Sequence, residues 1–134
     1  MENILRHAHS GLRWLVLAIL LYAIVNAIIK RKKGTYTAQD KLLSILSISF
    51  THLQIVLGFV MYFMTSAYKG FGEMGEAAPR FKALEHPLMM ILGAVFITIG
   101  HVKAKKATDD VKKYTHTAVF FGIGLVLILA RIPW

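Results

Sequence analysis

The chain has 134 residues, 56% of them apolar, and carries 16 Lys and Arg against 7 Asp and Glu for a net charge of +9. Cysteine is absent, which excludes disulfides, thiolate metal sites, iron–sulfur ligation and covalent c-type haem attachment. The positive charge gathers beside the ends of apolar runs, where it signals membrane topology and gives no groove-reading element for nucleic acid.

Four apolar runs are each long enough to cross a bilayer. The expected fold is an all-α membrane protein with a single domain, 1–134, forming an up-down-up-down four-helix transmembrane bundle. Spans are expected at about 9–29, 41–66, 84–103 and 113–132. The first run is too long for a signal-peptide core and its basic cluster follows it, so it is expected to be an uncleaved span that stops at Lys30-Arg31-Lys32-Lys33-Gly34. The second begins near Asp40 or Lys41 and ends before Tyr68-Lys69-Gly70-Phe71-Gly72. It carries Ser44, Ser47, Thr51, Gln54 and Gly58 at spacings of three and four, a small polar stripe suited to close helix packing. Short loops place the first span diagonal to the third, and the second diagonal to the fourth.

The third span opens near Pro79 and has Pro87 inside its helical pattern. Proline cannot donate to the Ala83 carbonyl, so a kink is expected beside His86. His86 and His101 sit fifteen residues apart. On one helix they face within about 60° of each other, about 22 Å apart along the axis. Gly93 lies between them and offers bare backbone.

The first and third loops with their flanks hold ten Lys and Arg, against six on the other side. The positive-inside rule therefore places both termini outside the cytoplasm of a bacterial inner membrane. Trp14, Tyr62, Tyr68 and Trp134 are expected at the outer interface, and Tyr36 and Tyr114 at the inner one.

Polar rings inside spans are costly and mark functional sites. The six histidines sort by depth into two candidate pairs. His9 and His86 come from diagonal helices on the outer side. On the inner side, His101 meets either His52 or His116. Paired neutral imidazoles from facing helices are how a bundle holds a haem iron. Arg13, one turn from His9, and Arg131 at the outer end of the fourth span are candidates to pair with haem propionates. Plainer roles compete: His7 and His116 as interfacial residues, His9 and His86 as helix caps, His101 as a topology residue, and His52 as a hydrogen-bonded ring. Carboxylate pumps and di-metal carboxylate sites lack acidic residues deep in a span, and neither HExxH nor a phosphate-binding glycine loop is present.

The motifs His9-Ser10-Gly11-Leu12-Arg13-Trp14, Phe50-Thr51-His52-Leu53-Gln54, Glu85-His86-Pro87-Leu88-Met89-Met90 and Ile132-Pro133-Trp134 resemble small bacterial four-helix membrane proteins of cytochrome b type. The architecture is similar to that of cytochrome b561-like bundles. The resemblance implies one or two b-type haems with His9, His52, His86 and His101 as axial ligands and His116 as a competing ligand. In cytochrome b561-like bundles electrons pass between a quinol pool and an acceptor, so a quinone or quinol is an expected partner, with a redox partner protein or a second copy of the chain as further candidates. Two other functions stand beside this expectation: a histidine-lined path for protons or divalent metals, and a non-catalytic subunit of a larger membrane assembly.

Overall fold

The computed structural model describes residues 2–32 and 34–132. Lys33 of the basic stop, and Pro133 and Trp134 of the C-terminal motif, lie outside them. The described residues are helical, with no strand: α1 (Glu2–Lys30), α2 (Ala38–Met64), α3 (Ala77–Arg80), α4 (His86–Lys106) and α5 (Asp110–Ala130). A 3-10 segment, Ala67–Glu73, follows α2, and a π turn, Phe81–Glu85, joins α3 to α4. Through that turn α3 and α4 run as one helix, so four helices are long and apolar enough to cross a membrane.

The helices overrun the expected spans at most ends. Lysine at a membrane boundary is a good helix former, aspartate suits a first helical turn, and here both complement the helix dipoles. Asp40 and Asp110 lie in the first turns of α2 and α5, and Lys103, Lys105 and Lys106 in the last turn of α4. Thr37 and Asp40 form a capping box that starts α2 before its apolar run. Asp109 caps α5 by accepting from the Val111 N–H at 3.2 Å. The α4–α5 connection is consequently only Ala107–Asp109, shorter than the expected loop. At the other end α2 stops at Met64 rather than near 66, where Ser66 takes a left-handed conformation with φ 56°.

Pro87 acts as its chemistry requires, though the result is a change of register. The His86 N–H donates to the Phe81 carbonyl, one residue further back than in an α-helix. The Ala83 carbonyl, which Pro87 cannot serve, accepts from the Tyr62 hydroxyl at 2.9 Å. The deviation beside His86 is thus a π turn with its freed acceptor satisfied from α2.

Helix α1 packs on α2 and α5, and α4 packs on the same two. Leu20, Ile97 and Phe121 are fully buried at the centre, with Val16, Ala23, Ile128 and Ile132 around them. The α4–α5 seam is built on glycines. A Cβ on Gly124 would lie 2.5 Å from Ile97 Cγ1 and 2.8 Å from the Gly93 carbonyl oxygen. Gly93 therefore serves backbone-to-backbone approach of α4 and α5, and the space it leaves is filled by Gly124 and Ile128. Facing outward, Leu21, Tyr22, Val25, Ile28, Phe63 and Val126 are exposed and form an apolar surface of the kind a bilayer covers.

Candidate functional site

His9 sits on α1 opposite the polar stripe of α2. The Gln54 side-chain amide donates to the His9 carbonyl at 2.7 Å. One turn on, a Cβ added to Gly58 would stand 3.3 Å from His9 Cε1, so glycine there leaves the width the ring occupies. His9 Nδ1, Thr51 Oγ1 and Gln54 Oε1 are buried and make no well-formed hydrogen bond, although the Gln54 side chain lies near enough to act on the His9 ring. Buried polar atoms are seldom left so, and three of them lie on neighbouring turns of two facing helices.

His86 enters from α4. Its ring stacks on Phe81 with centroids 5.8 Å apart, and its Nδ1 lies 2.8 Å from the Arg131 carbonyl oxygen at the end of α5. A carbonyl only accepts, so Nδ1 carries the proton. In the neutral ring that leaves the lone pair on Nε2, the tautomer that a metal-ligating histidine needs. His9, Arg13 and His86 lie within electrostatic range of one another, which brings one ring from α1 and one from α4 to the same end of the bundle. The Arg13 guanidinium lies over the Trp14 ring, 5.0 Å from its centroid. Glu85 sits between two cations, accepting from Arg80 at 2.8 Å with Arg131 at 3.8 Å.

The other histidines have separate surroundings. His101 Nδ1 is hydrogen-bonded with Ser44 Oγ at 2.7 Å. The Thr98 hydroxyl donates to the Ala94 carbonyl at 2.7 Å, so His52 Nε2–H donates to Thr98 Oγ1 at 2.9 Å. His52 is exposed. His116 lies against Phe120 on its own helix, with centroids 6.1 Å apart. Among the described residues no hydrogen bond or ring contact joins His101 to His52 or to His116.

Sequence reasoning took Asp40 only as a helix start. It is a buried carboxylate and the hub of the lysine-rich end. It accepts from Asn26 Nδ2 at 2.8 Å, the Thr37 N–H at 2.9 Å and the Tyr114 hydroxyl at 2.7 Å, with Lys30 Nζ at 3.3 Å. This ties α1, α2 and α5 together. Burial, helped by the Asp40 charge, pushes the neighbouring Tyr36 phenol above its ordinary range. The legible signal was Thr37-x-x-Asp40, a capping-box spacing.

No family model, curated protein or solved structure matches the chain.

Proposed function

We propose that the chain is a membrane cytochrome that holds one b-type haem between His9 and His86. The observation that carries this is the His86 ring, fixed by the Arg131 carbonyl so that Nε2 keeps its lone pair, at the same end of the bundle as a half-buried His9 whose Nδ1 is buried and makes no hydrogen bond. Two imidazoles are the protein's share of a haem's coordination, whereas a bare zinc-type ion takes three or four protein ligands. Among the described residues no group of three His, Cys, Asp or Glu gathers to form such a cage.

When bound, the haem supplies one-electron redox chemistry. The chain's own residues do the rest. Gly58 leaves room beside His9, the Arg131 carbonyl orients His86, and Arg13, whose charge reaches the His9 ring, would offer a guanidinium to a propionate. Leu12, Val16 and Met90 lie in or against the apolar core beneath and exclude water. His101 and His52 lie across the α2–α4 interface with a ring nitrogen each engaged by a hydroxyl, of Ser44 and Thr98, and His116 lies against Phe120, which supports a single haem. Residue pairings support the up-down-up-down arrangement: His9 with Gln54 and Asn26 with Asp40 across α1–α2, and Tyr62 with Ala83 and Ser44 with His101 across α2 and the α3–α4 helix. The lysine distribution supports a bacterial inner membrane with both termini outside the cytoplasm. Electrons would pass between a quinone or quinol and a redox partner protein, the chain acting alone or as a homo-oligomer.

The test is an absorption spectrum of protein purified from haem-replete cells, before and after dithionite. The expected result is a Soret band, one haem per chain, lost in His86→Ala and retained in His101→Ala. A colourless protein overturns the proposal, and pH- or metal-driven flux from it in liposomes would establish the histidine-path function instead.

A further inference from the structure

At the end of the bundle opposite His9 and His86, a cavity of about 280 Å³ opens between the start of α2, the end of α4 and the start of α5. Its wall includes Tyr36, Thr37, Lys41, His101, Lys105 and Lys113. Three lysines thus converge with no acidic residue in the lining. Asp40, the nearest carboxylate in sequence, is turned toward Asn26 and Tyr114 and is already satisfied there. Among the described residues no carboxylate pairs with Lys41, Lys105 or Lys113.

The three cations are held differently. Lys113 Nζ donates to the Ala104 carbonyl at 2.9 Å and lies over the Tyr36 ring, 5.4 Å from its centroid, so its charge is fixed across the α4–α5 turn. Lys41 and Lys105 are exposed, and their charges reach the His101 ring between them. Like charges brought together without a counter-charge stabilise a bound anion, and the cavity has room for several waters' volume or one phosphate group.

The surroundings decide what carries that phosphate. Leu42 is 54% exposed, Ile45 38% and Val102 39%. Ile45 follows Lys41 by four residues, one turn deeper and within about 40° of the same face of α2, while Leu42 and Val102 stand about 100° round from Lys41 and His101. A phosphate seated among the lysines would therefore have apolar helix surface running away from it toward mid-bundle, the layout of a headgroup above its acyl chains. We infer that the lysine-lined cavity binds the headgroup phosphate of an anionic phospholipid, with its chains along the exposed face of α2 that Ile45 continues below Lys41. This site is separate from the histidine site and stands whether or not haem is bound.

Native mass spectrometry of the full chain in mild detergent tests this, because it reads bound lipid by mass and needs no colour. Phosphatidylglycerol is titrated against phosphatidylcholine of the same chain length, and separately against inorganic phosphate. Phosphatidylglycerol should bind at one site in preference to phosphatidylcholine, and inorganic phosphate should not displace it at equal concentration. A lysine near a membrane surface contributes roughly five-fold in affinity, so Lys41→Gln with Lys105→Gln should weaken phosphatidylglycerol binding about 25-fold. Lys113 is left in place because it bridges the turn, and circular dichroism checks that the double variant remains helical. Lys69→Gln with Lys82→Gln, at the far end, should leave binding unchanged. Equal retention of the two lipids, equal loss in both double variants, or displacement by inorganic phosphate overturns the inference.

Discussion

Removing the Tyr114 hydroxyl tests whether the Asp40 network joins the helices or merely decorates their ends. Tyr114 is 1% exposed, and its hydroxyl donates to Asp40 Oδ2 at 2.7 Å, with the Thr35 carbonyl oxygen 3.0 Å away. A hydrogen bond to a charged acceptor contributes about 1.5–3 kcal/mol, so Tyr114→Phe should destabilise the fold by about 2 kcal/mol. Asp40→Ala leaves the Asn26 amide without its acceptor and removes the Thr37 cap partner. At about 1–3 kcal/mol for the orphaned amide and about 1 kcal/mol for the cap, it should cost about 3 kcal/mol. The decisive quantity is the coupling between the two changes, because they share one hydrogen bond across residues 40 and 114. Reversible unfolding in mixed micelles, followed by circular dichroism for both single variants and the double, should give a coupling of about 1–2 kcal/mol. Additivity within about 0.5 kcal/mol would refute the network as a joint between α2 and α5.

Two further outcomes follow from close contacts. Gly58→Val should push the His9 ring from its place, since even a Cβ would stand 3.3 Å from Cε1; haem content of purified protein should fall with little loss of helicity by circular dichroism. Gly124→Ala should separate α4 from α5, because its Cβ would lie 2.5 Å from Ile97 Cγ1, and should lower stability by about 1–3 kcal/mol in the same unfolding assay.

The four long helices were legible because lipid-length apolar runs admit few other structures. The α2 stripe was legible too: Ser44, Ser47 and Thr51 are buried, as their three- and four-residue spacing implies. The same periodicity bears on His52. It follows inward-facing Thr51 by one residue, about 100° round the helix, and therefore turns away from the bundle centre toward Thr98. Depth alone had made His52 a candidate ligand, and helical phase was the signal to weigh with it. Other features rest on partners that no local pattern names. Asp40 finds Asn26 14 residues back and Tyr114 74 residues ahead. Gly93 could be read as open space until the facing helix was known to bring Gly124 and Ile128 against it. Pro87 announced a deviation, yet whether the chain kinks or gains a π turn depends on Tyr62 reaching the freed carbonyl.

The two halves of the histidine site are positioned by different forces, and this bears on how the site would respond to strain. His86 takes its orientation from the Arg131 carbonyl just past the end of α5, so its ring is set by how far α4 and α5 slide along their glycine seam. His9 takes its place from α2, through Gln54 and the bare backbone at Gly58. Interhelical packing in membranes rests on close contact and scattered hydrogen bonds, so a shift at either interface is not corrected by a surrounding soluble core. A ligand spanning α1 and α4, helices that pack through α2 and α5, would therefore join the two halves of the bundle as well as occupy them. If the proposed haem is that ligand, its removal should loosen α1 against α4 before it unwinds any helix, and hydrogen exchange at the His9 and His86 turns should rise ahead of exchange at Leu20 and Ile97.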